Sequence, residues 1–404
     1  MRVALASQEY PPETAHGGIG SQTYLKAHGL AGLGHEVFVI SLSPDQEPKE
    51  YPDGRIRVIR IPSGEAQLAP HTEPVQWLTY SVAVAAAVAR LHEQSPLDVV
   101  DFPEWGCEGF VHLLNRSEWN YIPTVVHLHG PLVMFAHKIG WPELDSEFYR
   151  IGTVMEGTCL RLADGVFSSS RCSADWCTRH YGIPRERIAV LHTGVDTRLF
   201  RPLPGPKERR PTIIFAGNIV ENKGVVLLVE AACRLAREFP DLRLRLLGRG
   251  REDLIEELHA RAAAAGCPGL LEVPGFVRRE ELPQHFSRAH VFAAPSVYEG
   301  GPGFVYLEAM ACGLPVIACE GSGVTEVVWP EETGFLVPPE DLPALAAVLR
   351  RVLGNPTLAE RIGSQARRYV EAEADSAACL KRLEAFYAEA AARGREAPGR
   401  GVGS

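Results

Sequence analysis

Long apolar runs are missing from this sequence. None reaches the roughly 18 residues that a membrane-spanning helix requires, and Ser81–Ala89 is apolar but far too short. Paired cysteines are missing as well. The nine cysteines are scattered, with no Cys-x-x-Cys, and Cys172 and Cys177 are too isolated for a zinc site. An odd count argues against a full disulfide framework, so the thiols read as small core residues of a reducing cytoplasm. Basic charge is not in excess: the net charge is −9, with 16 Lys and Arg against 23 Asp and Glu in residues 1–200, and 25 against 27 thereafter. That balance leaves no nucleic-acid footprint and no broad basic face for anionic lipid, so peripheral membrane contact would need a small local patch. No internal repeat is present. Residues Met1–Gln8 lack the apolar core of a secretory signal and read as a first strand.

What is present is the composition of a soluble globular chain, 46% hydrophobic and 23% charged. Its 404 residues suffice for two or three domains. Val3–Ala6 reads as a buried strand, Tyr10–Gly20 as a glycine- and proline-rich turn, Ser21–Leu33 as a helix and Glu36–Ser41 as a second strand. This βαβ unit puts its turn at the carboxyl end of a strand, where open α/β sheets bind ligands. The spacing of Gly17, Gly18 and Gly20 is not the dinucleotide fingerprint, and a plain tight turn explains it equally well. Strands follow at 98–101, 123–130, 165–170 and 188–192, the second of them running into His129. A histidine there can reach a cleft or serve the core. Residues 201–210 are charged and proline-rich and read as a linker. A second α/β series begins at Thr212–Ala216, followed by the turn Gly217–Gly224. The expected organisation is an N-terminal parallel-sheet domain over 1–200, the linker, and a C-terminal one over 211–374. A helix over 375–393 should pack back towards the first domain, and 394–404 should be a frayed tail. A cleft between two such halves is where a small-molecule site prefers to lie. Pro131–Trp141 is apolar and reads as a core helix or as a docking segment for an acceptor or lipid.

The stretch Ala293–Ala318, AAPSVYEGGPGFVYLEAMACGLPVIA, organises the second half. A strand reaches Pro295, the turn Gly300–Gly303 opens a helix from Phe304, and Val316–Cys319 is the next strand. Free N–H groups at a helix start, together with the positive end of the helix dipole, suit a phosphate. Glu299 and Glu308 bracket the turn. Glu308 lies among Leu307, Ala309 and Met310, and a carboxylate in apolar surroundings needs a hydrogen-bonding partner. The vicinal hydroxyls of a ribose would serve. Two ordinary acids near a helix start would give the same letters.

Taken together, the chain resembles the family 4 retaining glycosyltransferases of GT-B architecture. The likeness is carried by Pro11-Pro12, Gly17-Gly18, Gly34-His35-Glu36, Thr193-Gly-Val-Asp196, Gly217 and Lys223-Gly224. It continues through Glu308-Ala-Met-Ala-Cys-Gly-Leu-Pro-Val-Ile317, Glu326 and Thr333-Gly334. The order and spacing of these motifs, not any one of them, make it specific. The resemblance implies two Rossmann-like doubly wound domains, with nucleotide-sugar on the second and acceptor on the first. Glu308 corresponds to the glutamate that holds the ribose hydroxyls and Glu299 to the one that contacts the transferring sugar. Lys223 corresponds to the lysine on the diphosphate, aided by N–H groups at Gly303, Phe304 and Val305. His129 corresponds to a histidine facing the sugar, Gly17 and Gly18 to the loop over the phosphates, and Phe276 and Val277 to backbone that meets the base. No Asp-x-Asp metal motif occurs, so the reading has no metal and no cofactor. The donor is a substrate, UDP-linked in preference to GDP-linked because UDP is common in the family.

Two departures stand out. Eight residues, where the family usually has seven, separate Glu299 from Glu308, and Asn218 stands where the family often has an arginine on the phosphates. Arg249 or Arg251 would have to replace that cation. The reading is hexosyl transfer to a hydroxyl acceptor with retention, by a cytoplasmic enzyme. The alternatives are a catalytically silent nucleotide-sugar-binding subunit and a nucleotide-sugar epimerase of the same architecture, for which Asp101, Glu104 and His129 would supply acid–base groups.

Overall fold

The computed structural model describes residues 1–14, 18–64, 73–192 and 194–396. The described residues up to 192, joined by those from 379 onward, make one compact unit, and residues 194–378 make the other.

The first unit is built on eight strands: β1 (Arg2–Ala6), β2 (Glu36–Leu42), β3 (Lys49–Asp53), β4 (Ile56–Ile61), β5 (Val99–Pro103), β6 (Thr124–Leu128), β7 (Gly165–Ser168) and β8 (Ile188–Val190). They lie in the order β3-β4-β2-β1-β5-β6-β7-β8. All neighbours are parallel except β3, which pairs antiparallel with β4 at the edge. Both β5 and β6 are buried at every position, as expected of parallel strands covered on two faces. The strand order reverses between β1 and β5, so the turns after these strands flank one crevice at the carboxyl edge of the sheet. The buried Arg60 of β4 donates to Tyr10 O (2.9 Å), Thr14 Oγ1 (3.0 Å) and Ser41 Oγ (3.0 Å) and thereby fastens the segment after β1.

The second unit has six parallel strands: β9 (Thr212–Ala216), β10 (Arg243–Leu247), β11 (Leu271–Gly275), β12 (Val291–Ala293), β13 (Val316–Cys319) and β14 (Phe335–Val337). Their order, β11-β10-β9-β12-β13-β14, is that of a doubly wound nucleotide-binding sheet, with its reversal between β9 and β12. Its core draws on Ile213, Phe215, Leu228, Phe292, Leu307 and Ile317, all buried.

Three boundaries differ from the sequence reading. Residues 201–210 are fastened to the second unit: Leu203 N donates to Ser287 Oγ (3.0 Å), Lys207 Nζ to Ala289 O (2.6 Å) and Glu208 N to Arg288 O (2.9 Å). A segment without apolar periodicity can still be held by polar contacts, and the division falls near 193. The C-terminal helix, Ser376–Glu396, continues past 394, while residues 397–404 lie outside the described residues. Its Leu383, Tyr387 and Ala390 join Val3, Val37, Val125 and Phe167 in one apolar cluster of the first unit. Residues Leu132–Ile139 form a helix with Leu132, Val133, Met134 and Ala136 buried, so much of the apolar 131–141 run is core. No helix among the described residues is long and apolar enough to cross a membrane.

Candidate active site

In the second unit the turns after β9 and β12 meet at the reversal of strand order. Gly224 ends the first turn with φ +71°, and a Cβ there would fall 2.2 Å from Pro295 O. Only glycine lets these two turns approach so closely. Asn222 laces them, its carbonyl accepting from Val297 N (3.0 Å) and Ser296 Oγ (3.3 Å). Lys223 is thereby aimed across the gap, and its Nζ donates to Glu299 Oε1 at 2.7 Å. The two side chains are 28% and 14% exposed, so the pair is partly desolvated yet open on one side. Gly323 N donates to Glu299 O (2.9 Å) and steadies the longer-than-usual loop.

Gly303, with φ +71°, leads into the helix Phe304–Ala311, and among the described residues no side chain caps its first turn. The N–H groups at Gly303, Phe304 and Val305 therefore belong to an uncapped helix start, with Glu299 Oε2 3.8 Å from where a Cβ on Gly303 would lie. One turn on, Glu308 is buried. Arg279 Nε donates to its Oε1 at 2.8 Å. Burial raises the carboxyl above its ordinary range, and the Arg279 guanidinium offsets part of that rise. Phe276 and Val277 follow β11. The Phe276 ring is 62% exposed, with the Arg249 guanidinium 4.8 Å from its centroid. The two arginines left open by the sequence now separate: Arg251 is engaged by Asp253 (3.1 Å) and Glu221 (3.2 Å), whereas Arg249 has no carboxylate partner among the described residues. Asn218 is exposed at the turn after β9.

Lys223, Asn218, Glu299, Gly303, Phe304, Val305, Glu308, Phe276 and Val277 thus all belong to the carboxyl edge of one sheet and the elements leading from it. Residues 196–369 match the family model described as glycosyl transferases group 1, and residues 17–194 the glycosyl transferase 4-like domain. The chain is 30% identical over 407 residues to an MMP alpha-(1->4)-mannosyltransferase of Mycolicibacterium hassiacum, covering 91% of this chain and 93% of that protein. It belongs to the family 4 glycosyltransferases. Its fold matches the sucrose-phosphate synthase of Thermosynechococcus elongatus with a TM-score of 0.80 at 25% identity, over 97% of this chain and 99% of that one. HepE of Anabaena, solved in complex with UDP-glucose, matches with a TM-score of 0.72 at 20% identity, over 96% and 100%. The GT-B architecture expected from the sequence is therefore the one observed, and the chain is a glycosyltransferase.

The first unit of this glycosyltransferase places His129 immediately after β6. Its N–H and that of Gly130 donate to the buried Glu104 carboxylate (2.7 and 2.5 Å). Among the described residues His129 Nδ1 is buried with no hydrogen bond, and burial together with the Lys26 charge holds its pKa well below the usual histidine range. The ring lies 3.9 Å from that of His127. His127 Nε2 is 2.9 Å from Ser169 Oγ, and its Nδ1 is 3.4 Å from Lys26 Nζ. An ammonium can only donate, so Nδ1 accepts and the proton sits on Nε2. Lys26 in turn pairs with Asp101 at 2.6 Å, and Tyr387 of the C-terminal helix donates to the same carboxylate. His127 was visible only as one of the histidines of the 123–130 strand, while Lys26 and Tyr387 look like ordinary members of helices. Of the carboxylates that an epimerase would use, Asp101 holds Lys26 and Tyr387 through Oδ2, and Glu104 holds the backbone N–H groups of His129 and Gly130. Gly18 opens the helix Gly18–Gly32, where Glu9 accepts from Gly20 N (3.0 Å). Gly17 lies outside the described residues. Among the described residues no cluster of three or more His, Cys, Asp or Glu could hold a metal ion.

Proposed function

We propose that this glycosyltransferase moves a hexosyl unit from a nucleoside-diphosphate sugar to a hydroxyl acceptor, with retention at the anomeric carbon and without a divalent metal. The observation that carries the reading is the Lys223–Glu299 pair (2.7 Å) at the strand-order reversal, next to an uncapped helix start. Without donor, the ammonium and carboxylate satisfy one another. A donor diphosphate takes Lys223 as its counter-charge, which releases Glu299 to accept hydrogen bonds from sugar hydroxyls. As the bond to the anomeric carbon breaks, negative charge grows on the departing diphosphate. Lys223 and the N–H groups at Gly303, Phe304 and Val305 would meet that charge with little reorganisation. Glu308 would hold the ribose and the exposed Phe276 would flank the base. Arg249, which has no carboxylate partner among the described residues, would supply the cation that Asn218 lacks. Retention and the contact of His129 with the sugar are carried over from the family resemblance.

A UDP-sugar is the first donor to try, supported by UDP-glucose in HepE and by the frequency of UDP donors in the family. The test is to supply UDP-, GDP- and ADP-hexoses labelled in the sugar and follow the label by NMR. A glycosylated acceptor with the donor's anomeric configuration supports the reading. An inverted product would remove retention, and a changed sugar nucleotide without transfer would indicate epimerisation.

A further inference from the structure

The partner of Glu308 is a residue that neither the motifs nor the spacing singled out. Arg279 follows β11 by four residues, in the short helical turn Arg279–Glu281. Its neighbour Arg278 is spent on Glu281 at the surface. Arg279 instead turns inward, with its guanidinium 4.9 Å from the centroid of the fully buried Phe200 ring. Cation–π contact with a ring that cannot move fixes the plane of the fork. From that plane Nε donates to Glu308 Oε1 at 2.8 Å. Nη2 lies 2.8 Å from the same oxygen but out of line, and it is buried with no hydrogen bond made. Among the described residues nothing donates to Glu308 Oε2. Both nitrogens of the fork therefore converge on one carboxylate oxygen and leave the other, Oε2, without a donor among the described residues.

A vicinal diol is a group that such an oxygen can accept from: its hydroxyls donate to Oε2 while the guanidinium fork keeps the carboxylate ionised and turned towards them. We infer that Arg279 orients Glu308 as the acceptor for the ribose hydroxyls of the donor, acting through the carboxylate and not by contact with the nucleotide. This rests on the reading of Glu308 as the ribose carboxylate and adds a positioning residue to it. A nucleotide that lacks a hydroxyl leaves that oxygen without its donor, so the site favours the ribonucleotide.

The experiment is calorimetric binding of UDP, 2′-deoxy-UDP and 3′-deoxy-UDP to the parent and to Arg279→Met, Arg279→Lys and Glu308→Gln. ADP and GDP with their deoxy forms are run in parallel, and the base that binds most tightly is used. The parent should favour the ribonucleotide over at least one deoxy form by about tenfold or more. Arg279→Met and Glu308→Gln should each weaken the ribonucleotide and bring that ratio towards one. Arg279→Lys keeps a counter-charge for Glu308 and protects folding, but it lacks the fork. It should recover part of the affinity lost in Arg279→Met while the ratio stays low. A parental ratio in both Arg279 variants, with the ratio lost in Glu308→Gln, would overturn the role of Arg279 and leave the ribose reading standing. A parental ratio in Glu308→Gln, or no preference in the parent, would overturn the ribose reading itself.

Discussion

Two glutamates separated by eight residues have opposite surroundings, and that difference sets what each substitution does. Glu308 is buried against Arg279, whereas Glu299 is paired with Lys223 on an open edge. Glu308→Ala should weaken the free nucleoside diphosphate, by about 10- to 150-fold if one charge-assisted hydrogen bond is lost. Glu299→Ala should spare the diphosphate and weaken the intact sugar donor. Titration calorimetry with both ligands checks the division, and equal losses for the two would contradict it. Glu108 in the first unit offers a separate test. Burial pushes its carboxyl up to about 8 from an ordinary 4.5; Oε1 accepts from Gln8 N (2.7 Å), and among the described residues Oε2 has no hydrogen bond. A raised carboxyl favours the protonated fold, so its stabilisation is complete below about 4.5 and is lost as the pH rises through about 8. Glu108→Gln cannot ionise. The parent's melting temperature should fall relative to that variant between pH 5 and 9, and a constant difference across that range would refute the assignment.

Elements succeed here through the glycines between them. Gly224 joins the turn after β9 to the helix Val225–Leu235 in a left-handed conformation, against Pro295 O. Alanine there meets left-handed strain of roughly 1–2 kcal/mol and must also push the 295 segment away. Gly224→Ala should therefore lower the melting temperature and part Lys223 from Glu299. Thermal unfolding together with donor affinity reads both effects, and a parental melting temperature would show that the turns are looser than their geometry. The elements flanking these turns were plain in the sequence, because buried parallel strands are short apolar runs ending at glycine. The β3–β4 hairpin was not. Arg57 and Arg60 interrupt the apolar alternation of β4, and only the fold reveals that Arg60 is buried as the tie for residues 10–14. Arg279 was hidden for a related reason: in Arg278-Arg-Glu-Glu281 nothing local separates the arginine that faces solvent from the one that faces Glu308. Lys26 was equally hidden, since helical periodicity does not say which polar residue will find a buried carboxylate.

At the scale of the whole molecule, two doubly wound units carry chemistry of different kinds. The second gathers cations and free N–H groups along the carboxyl edge of its sheet. The first holds a histidine pair kept neutral by burial and by a buried lysine. The motifs made the architecture legible because GT-B enzymes repeat one plan twice, with a glycine turn at each strand-order reversal. The polar networks beneath those turns depend on side chains far apart in sequence, Lys26 with Asp101 and Tyr387 among them, and no spacing rule announces them. In the proposed reaction Lys223 carries the departing diphosphate without help from a metal. The most direct test of that role is the rate of nucleoside diphosphate release from a labelled nucleotide-sugar, measured in EDTA for the parent and for Lys223→Ala. The parent should keep its rate under chelation, and the variant should lose about 10²–10³ of it, the usual cost of removing one preorganised electrostatic donor. A parent silenced by EDTA and restored by magnesium, or a variant with the parental rate, would contradict it.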